Sequence, residues 1–248
     1  MSRTLTVGAA AVVLLCAGSA SGALLSFASD VDSGSFTFGG IGNTATAATD
    51  PTDPFKLLID DDNGPLDTLE FDVNFESSFT IAYNSSVQLF PGVFLHIYEL
   101  NGDFLFRDQG DGTGSGEVLL EGTITNGAFT ALGGPESWSS TGTIQGNDTN
   151  DSESQVSYTW RGDDLPDYDL FADMKSIGPD DASFTLTAIF SNLMQTPASG
   201  VPLGSDFLPA DDWESEGSFS GQANIIPTPA STALAICAFA MTATRRRR

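Results

Sequence analysis

Sulfur and positive charge are scarce in this chain, and each scarcity excludes something. Its 248 residues hold two cysteines, Cys16 and Cys237, both in apolar segments close to the chain ends. The long stretch between those segments therefore has no disulfide and no thiolate metal site. A single histidine, His96, is too few for a histidine-rich zinc site. Of nine basic residues, five (Arg3 and Arg245 to Arg248) belong to the terminal segments. Lys56, Arg107, Arg161 and Lys175 remain against 33 acidic residues, a formal charge of −29 for the part between the ends. With no basic patch to release counterions, nucleic acid is excluded as a partner, and anionic lipid headgroups are disfavoured. Cations, Ca²⁺ among them, concentrate near such a surface. Solubility in a salty medium, where screening tolerates high charge, is the simpler reason for it. A fixed repeat period is missing too, which argues against a β-solenoid.

What is present begins at the ends. Residues 5–17 are apolar and follow one positive charge at Arg3. Ala20, Ser21, Gly22 and Ala23 then supply the small side chains that signal peptidase requires, so residues 1–23 read as a signal peptide cut after Gly22 or Ala23. At the other end Pro227, Thr228, Pro229 and Ala230 precede an apolar run over residues 231–244, and Arg245, Arg246, Arg247 and Arg248 close the chain. A helix over that run reaches ~21 Å at ~1.5 Å per residue, short of the ~30 Å hydrocarbon core. Arginine stems that snorkel to the interface lengthen the effective span. The four arginines stay cytoplasmic, which leaves the rest of the chain outside. So marginal a span suits a temporary stop better than a permanent anchor. A GPI signal would end apolar rather than in arginines.

A proline turn, a short apolar helix and a terminal arginine cluster together resemble the PEP-CTERM sorting signal of exported bacterial proteins. Thr228 stands where that family has Glu between the prolines. The resemblance covers residues 227–248. It implies a membrane-embedded exosortase-like transpeptidase that cuts near the proline motif, after signal peptidase has acted at the other end. It also implies delivery to the cell surface or extracellular matrix, beside extracellular polysaccharide, with the membrane engaged only through the C-terminal helix before processing.

Residues 24–226 form the ectodomain of this scheme, long enough for one well-cored domain. They are rich in Gly, Ser, Thr, Asp and Phe. Residues 69–76 alternate strictly, the mark of a half-buried strand, and residues 78–83 continue them as one long strand or a bent pair. Further strands are expected over 35–38, 87–90, 93–100, 104–107, 118–125, 128–132, 141–144, 155–160, 183–190 and 218–225. Asn101-Gly102 and Asn126-Gly127 predict two hairpin turns, because both residue types tolerate positive φ. Residues 170–177 predict one short helix. Residues 40–53 and 196–212 look mobile. Many short strands between Gly- and Asp-rich turns imply an all-β fold, an antiparallel two-layer sandwich of jelly-roll-like form.

Candidate chemistry in this body is thin. Glu70, Asp72, Asn74 and Glu76 share one face of a strand at ~6.7 Å spacing. Glu70 and Asp72 are thus the pair through which a jelly-roll glycoside hydrolase would work. A wet strand face is the plainer reading. Crowded acids without basic partners need solvent or a cation. Asp60 and Asp62, in Asp60-Asp61-Asp62-Asn63-Gly64, are candidate Ca²⁺ ligands, as are Asp30 and Asp32. Asp108 and Asp111, with Glu117 downstream, form a similar loop. A Ser-His-Asp triad would have to use His96, which lies in an apolar strand. Trp138, Trp160 and Trp213, with Tyr83, Tyr98, Tyr158 and Tyr168, are candidates for a sugar-stacking platform or for core. No catalytic or cofactor-binding residue is assigned. The expected role is structural or adhesive, with a carbohydrate-binding module as the alternative and a glycoside hydrolase behind it.

Overall fold

The computed structural model describes residues 21–27, 37–48, 55–60, 68–109, 116–147, 154–165, 170–192 and 200–225. The apolar N-terminal segment before Ser21 and the tail from Pro227 lie outside them. Among the described residues no helix is long and apolar enough to cross a membrane. The described residues form thirteen strands: β1 (Ser21–Phe27), β2 (Thr37–Gly40), β3 (Thr44–Ala48), β4 (Phe55–Asp60), β5 (Leu69–Phe90), β6 (Val93–Asp108), β7 (Val118–Gly134), β8 (Ser137–Asn147), β9 (Gln155–Trp160), β10 (Met174–Lys175), β11 (Asp181–Ser191), β12 (Val201–Pro202) and β13 (Trp213–Ile225). Every pairing is antiparallel, and the all-β body is consistent with a β-sandwich.

The pairing closes on itself. Strands β5, β6, β7 and β8 form a meander, β11 joins β8 to β13, and two short pairs lead from β13 back to β5. One pair, β2 and β3, joins Trp213–Glu216 of β13 to Glu76–Thr80 of β5. The other, β1 and β4, joins the last residues of β13 to the first residues of β5. Alternation then sends one set of side chains inward, where closure dries it. At one pole lies a phenylalanine cluster of Phe38, Phe75, Phe79, Phe104, Phe106, Phe184 and Phe219, all buried. At the other pole Tyr98, Phe129, Trp138 and Trp213 meet with ring centroids 5.0–6.3 Å apart.

Both expected Asn-Gly hairpins are absent. Each dipeptide instead lies inside one long strand, Asn101-Gly102 in β6 and Asn126-Gly127 in β7. The two face each other at a register shift, where Leu100 pairs Gly127 but Gly102 pairs Ile124. Asn126 takes φ 52° and its N–H donates to Asn101 Oδ1 at 2.8 Å. Positive φ is thus used for facing bulges rather than turns. The shift marks the point where β7 changes partner, from β9 below Thr125 to β8 above Ala128. Gly102 sits at φ 150°, and a Cβ there would run into the Ser78 carbonyl oxygen and within 2.8 Å of Phe79 Cα. Gly102→Ala is expected to cost about 1–3 kcal/mol of stability, read as a lower urea midpoint at unchanged slope.

Other expectations also shift. The short helix over 170–177 is not formed. Met174 and Lys175 pair with Trp160 and Thr159 after a turn in which Asp173 takes φ 63°. Residues 40–53 contain β3, and 200–212 contain β12. The domain boundary expected at residue 24 falls inside β1, whose pairing with β13 starts at Ser21↔Ile225.

Candidate functional site

The acidic row of β5 is where the sequence placed its sharpest chemistry. Glu70, Asp72 and Glu76 are exposed on the outer face, while Val73 and Phe75 point into the core. Asn74 shares the parity of the acids but is buried. Two of the four bases of the body land on this row. Lys56 lies directly across from Asp72 in the register and pairs with it at 2.6 Å. Arg107 lies across from Asn74 and reaches diagonally to Glu76, with Nε 3.0 Å from Oε1. Hydrogen bonding to Asp72 holds the Lys56 ammonium above its ordinary value, with the Asp72 and Glu70 charges adding to the effect. The crowding is therefore relieved by cross-strand ion pairs, which the spacing within one strand could not reveal. As solvated surface pairs they contribute little to stability. Asp72, one half of the hydrolase pair, has its carboxylate engaged by a lysine on an open face.

The calcium candidates are mostly beyond the described residues, with Asp30, Asp32, Asp62 and Asp111 among them. Asp60 ends β4, level with Leu24. Asp108 ends β6, level with Val73. Among the described residues no group of three or more His, Asp, Glu or Cys side chains is gathered to hold a metal ion.

The aromatic platform is not built from the tryptophans. Trp138, Trp160 and Trp213 are all buried, as are Tyr98 and Tyr158. Trp138 Nε1 donates to the Tyr98 hydroxyl at 2.8 Å, and that hydroxyl donates to the Phe207 carbonyl at 2.8 Å. Tyr83 stacks on Phe207 at 4.6 Å. Tyr168 is outside the described residues. The described rings are core and pole packing, with no coplanar row of them facing solvent.

His96 is fully buried, as an apolar strand predicts, but it has partners that sequence reading missed. Its Nε2 lies 2.8 Å from the Gly134 carbonyl, which only accepts, so Nε2 carries the hydrogen. Nδ1 is then the acceptor for the Ser86 hydroxyl at 2.8 Å. Ser86 accepts in turn from Tyr83 at 3.1 Å. The third member of the set is a backbone carbonyl, so no Ser-His-Asp triad is assembled here. The chain ties β5, β6 and the end of β7 together. A register shift between Tyr83 and Ser85 turns Ser86 onto the inner face opposite His96. Without that bulge the parity of the strand would point Ser86 outward.

The described surface offers shallow features elsewhere. A cavity of about 20 Å³ beside Tyr158, Trp160 and Met174 has room for one water. An open groove of about 430 Å³ holds Asp212 and Glu214, whose carboxylates both accept from Asn192 Nδ2, at 3.3 and 2.8 Å. A second open groove, of about 330 Å³, is lined by Thr123, Gln155, Ser157 and Asp180. No protein-family model, no curated protein and no solved structure matches the chain.

The arrangement with the plainest geometric consequence is at the pole of the chain ends. Ser21 pairs Ile225 across β1 and β13. The first and last described residues of the body therefore lie side by side. Leu25 pairs both Gly221 and Ile59, and Ile59 pairs Leu69, so this pole is the one where β5 starts.

Proposed function

We propose that this chain is an exported protein of structural or adhesive type, displayed at the cell surface or in an extracellular matrix and sorted through its C-terminal tail. The observation that supports the reading is that the strand ends nearest in sequence to the two signal-like segments, at Ser21 and Ile225, are paired neighbours at one pole. A body tethered there stands off the membrane with its opposite pole outward, and removing both segments trims β1 but keeps its pairing to both β13 and β4. Cleavage after Ala23 keeps the four rungs from Leu24 to Phe27 on β13. An acidic surface with few bases and a cysteine-free body agree with life outside the cell in salt, independent of redox conditions. In the same proposal the sandwich is jelly-roll-like, with a signal helix before it and a membrane helix after it. The crossovers that set β1 beside β4 and β3 beside β5 support such a wrap.

The test is to express the tagged protein with and without residues 227–248 and to measure the mass of the mature C-terminus. The expected product ends near Pro227 to Ala230 and leaves the membrane, and the truncated chain is not sorted. A full-length product retained in the membrane would overturn the reading.

A further inference from the structure

The pole opposite the chain ends differs in chemistry from the rest of the surface. Residues 77–98 contain no Asp, Glu, Lys or Arg, in a chain with 33 acids. They build the second half of β5, the turn Phe90-Pro91-Gly92-Val93 and the first half of β6. Proline followed by Gly92 at φ 78° is the pattern of a type II turn. The outward side chains of this stretch are uncharged, and around the turn most of them are apolar. Val87 pairs Leu95 and Leu95 pairs Leu132, a rung of three aliphatic residues across three strands. Val87 is 48% exposed and Leu132 38%, and Leu89, Phe90 and Val93 beside them are exposed too, Phe90 at 68%.

This face adjoins an open strand edge. On its side away from β6, β5 pairs β4 and then β3 only as far as Thr80. Beyond it the Ile81 N–H reaches the Asn43 carbonyl, and among the described residues no backbone partner follows on that side through Phe90. Ala82, Asn84 and all four residues from Val87 to Phe90 are exposed. An exposed strand edge without a charged residue, with apolar side chains at Val87, Leu89 and Phe90, is a template for another strand.

The occupant follows from these two facts together. A lipid surface suits the apolar face but not the edge, because unpaired backbone groups in hydrocarbon each cost several kcal/mol. A β-strand satisfies both. Bodies carrying −29 repel one another, and least where an uncharged pole of one meets that of the other. The strand segment that is uncharged, carries exposed apolar side chains and is presented at this pole is the second half of β5 itself.

We propose that two copies of this chain dimerise through the β5 edge, antiparallel across a two-fold axis at Val87. Opposed residues in antiparallel strands share a face, so a self-pairing must match positions whose numbers sum to an even value. Val87 against its own copy meets that condition and joins the two aliphatic rungs into one across six strands. The register shifts flanking Ser85 and Gln88 limit the pairing to a short segment, which favours a closed dimer over open-ended stacking. The contact stands roughly 60 Å from the chain ends at ~3.3 Å per strand residue. It rests on the proposed surface display only for its orientation, in which bodies tethered at one pole meet at the other.

The experiment uses the full-length chain in mild detergent, with Cys16→Ser and Cys237→Ser as the background. Val87→Cys is expected to give a disulfide-linked dimer on mild oxidation. Ile177→Cys, at an exposed position on the opposite pole, is expected to stay monomeric. Val87→Lys, which sets two like charges face to face, is expected to abolish the dimer in sedimentation velocity with no change in melting temperature at dilutions where the wild type is also monomeric. Added salt should strengthen the wild-type dimer by screening the bodies. Absence of the Val87→Cys crosslink at ~100 μM, or a dimer that survives Val87→Lys, overturns the proposal. So does binding of phosphatidylcholine vesicles that Val87→Lys removes without any dimer in solution. Failure of tail processing would sink the sorting reading and leave these readouts unchanged.

Discussion

Phe104→Ala is expected to remove about 3–5 kcal/mol of folding stability, a large part of what a single domain has. Phe104 is buried and its ring lies within 5.3–6.3 Å, centroid to centroid, of Phe75, Phe79, Phe106, Tyr158, Phe184 and Phe219. Those six rings come from β5, β6, β9, β11 and β13, so one side chain bridges most of the closed sheet. Truncation removes the transfer term and opens a cavity that rigid strands on every side cannot collapse to fill. Opposite Phe104 in β7 is Gly122, where a Cβ would overlap the Phe104 ring. That glycine makes room for the ring. Gly122→Ala is therefore destabilising in the wild type and milder in the Phe104→Ala background, where the cavity accepts the methyl. A urea titration of the four proteins measures this coupling as a double-mutant cycle. Additive effects would mean that the ring moves aside freely and that the cluster is loosely packed.

What the sequence disclosed, and what it hid, divides along a physical line. Strands announced by alternation within one segment were legible. Residues 155–160 coincide with β9, and residues 69–83 lie within β5. Features that depend on a partner strand were not. Asn-Gly specifies positive φ, but whether that bends the chain back or absorbs a bulge depends on what lies alongside, and here the two dipeptides lie alongside each other. β4 is six residues long, sends only Phe55, Leu57 and Ile59 into the core, and stands beside an acidic cluster that reads as a metal loop. The acidic row of β5 looked unbalanced because Lys56 and Arg107 are remote in sequence and adjacent only through pairing. The tyrosines and tryptophans offered as a platform read equally as core, and closure of the sheet decided for core. His96 was legible as a packed residue; its bond to Ser86 needed the bulge.

The second large effect concerns alkaline pH. Burial pushes the Tyr98 phenol up, opposed in part by the bond from Trp138. Burial pushes Tyr158 well above its ordinary value as well, helped by the Asp181 and Asp180 carboxylates. Its hydroxyl donates to the Asp181 carbonyl at 2.5 Å, a bond the phenolate cannot make. Both groups stay protonated in the folded state at a pH where the unfolded chain, with pKa 10.0, releases its protons. The native state then holds two more protons than the unfolded one, so stability falls as pH rises. The stability these tyrosines contribute is fully present below pH ~10 and is lost above it, at about 1.4 kcal/mol per pH unit for each group, or ~2.7 for both. Urea midpoints between pH 9 and 11.5 are expected to be level at first and then to drop steeply. Tyr158→Phe should halve the slope at modest cost below pH 9. Tyr98→Phe should halve it too, but with a further loss of about 1–3 kcal/mol at all pH values, because Trp138 Nε1 is left buried without an acceptor. Equal slopes in the wild type and in both variants would place the alkaline loss elsewhere, in repulsion among the 33 acids and the remaining phenols, and would contradict the role of these two hydroxyls.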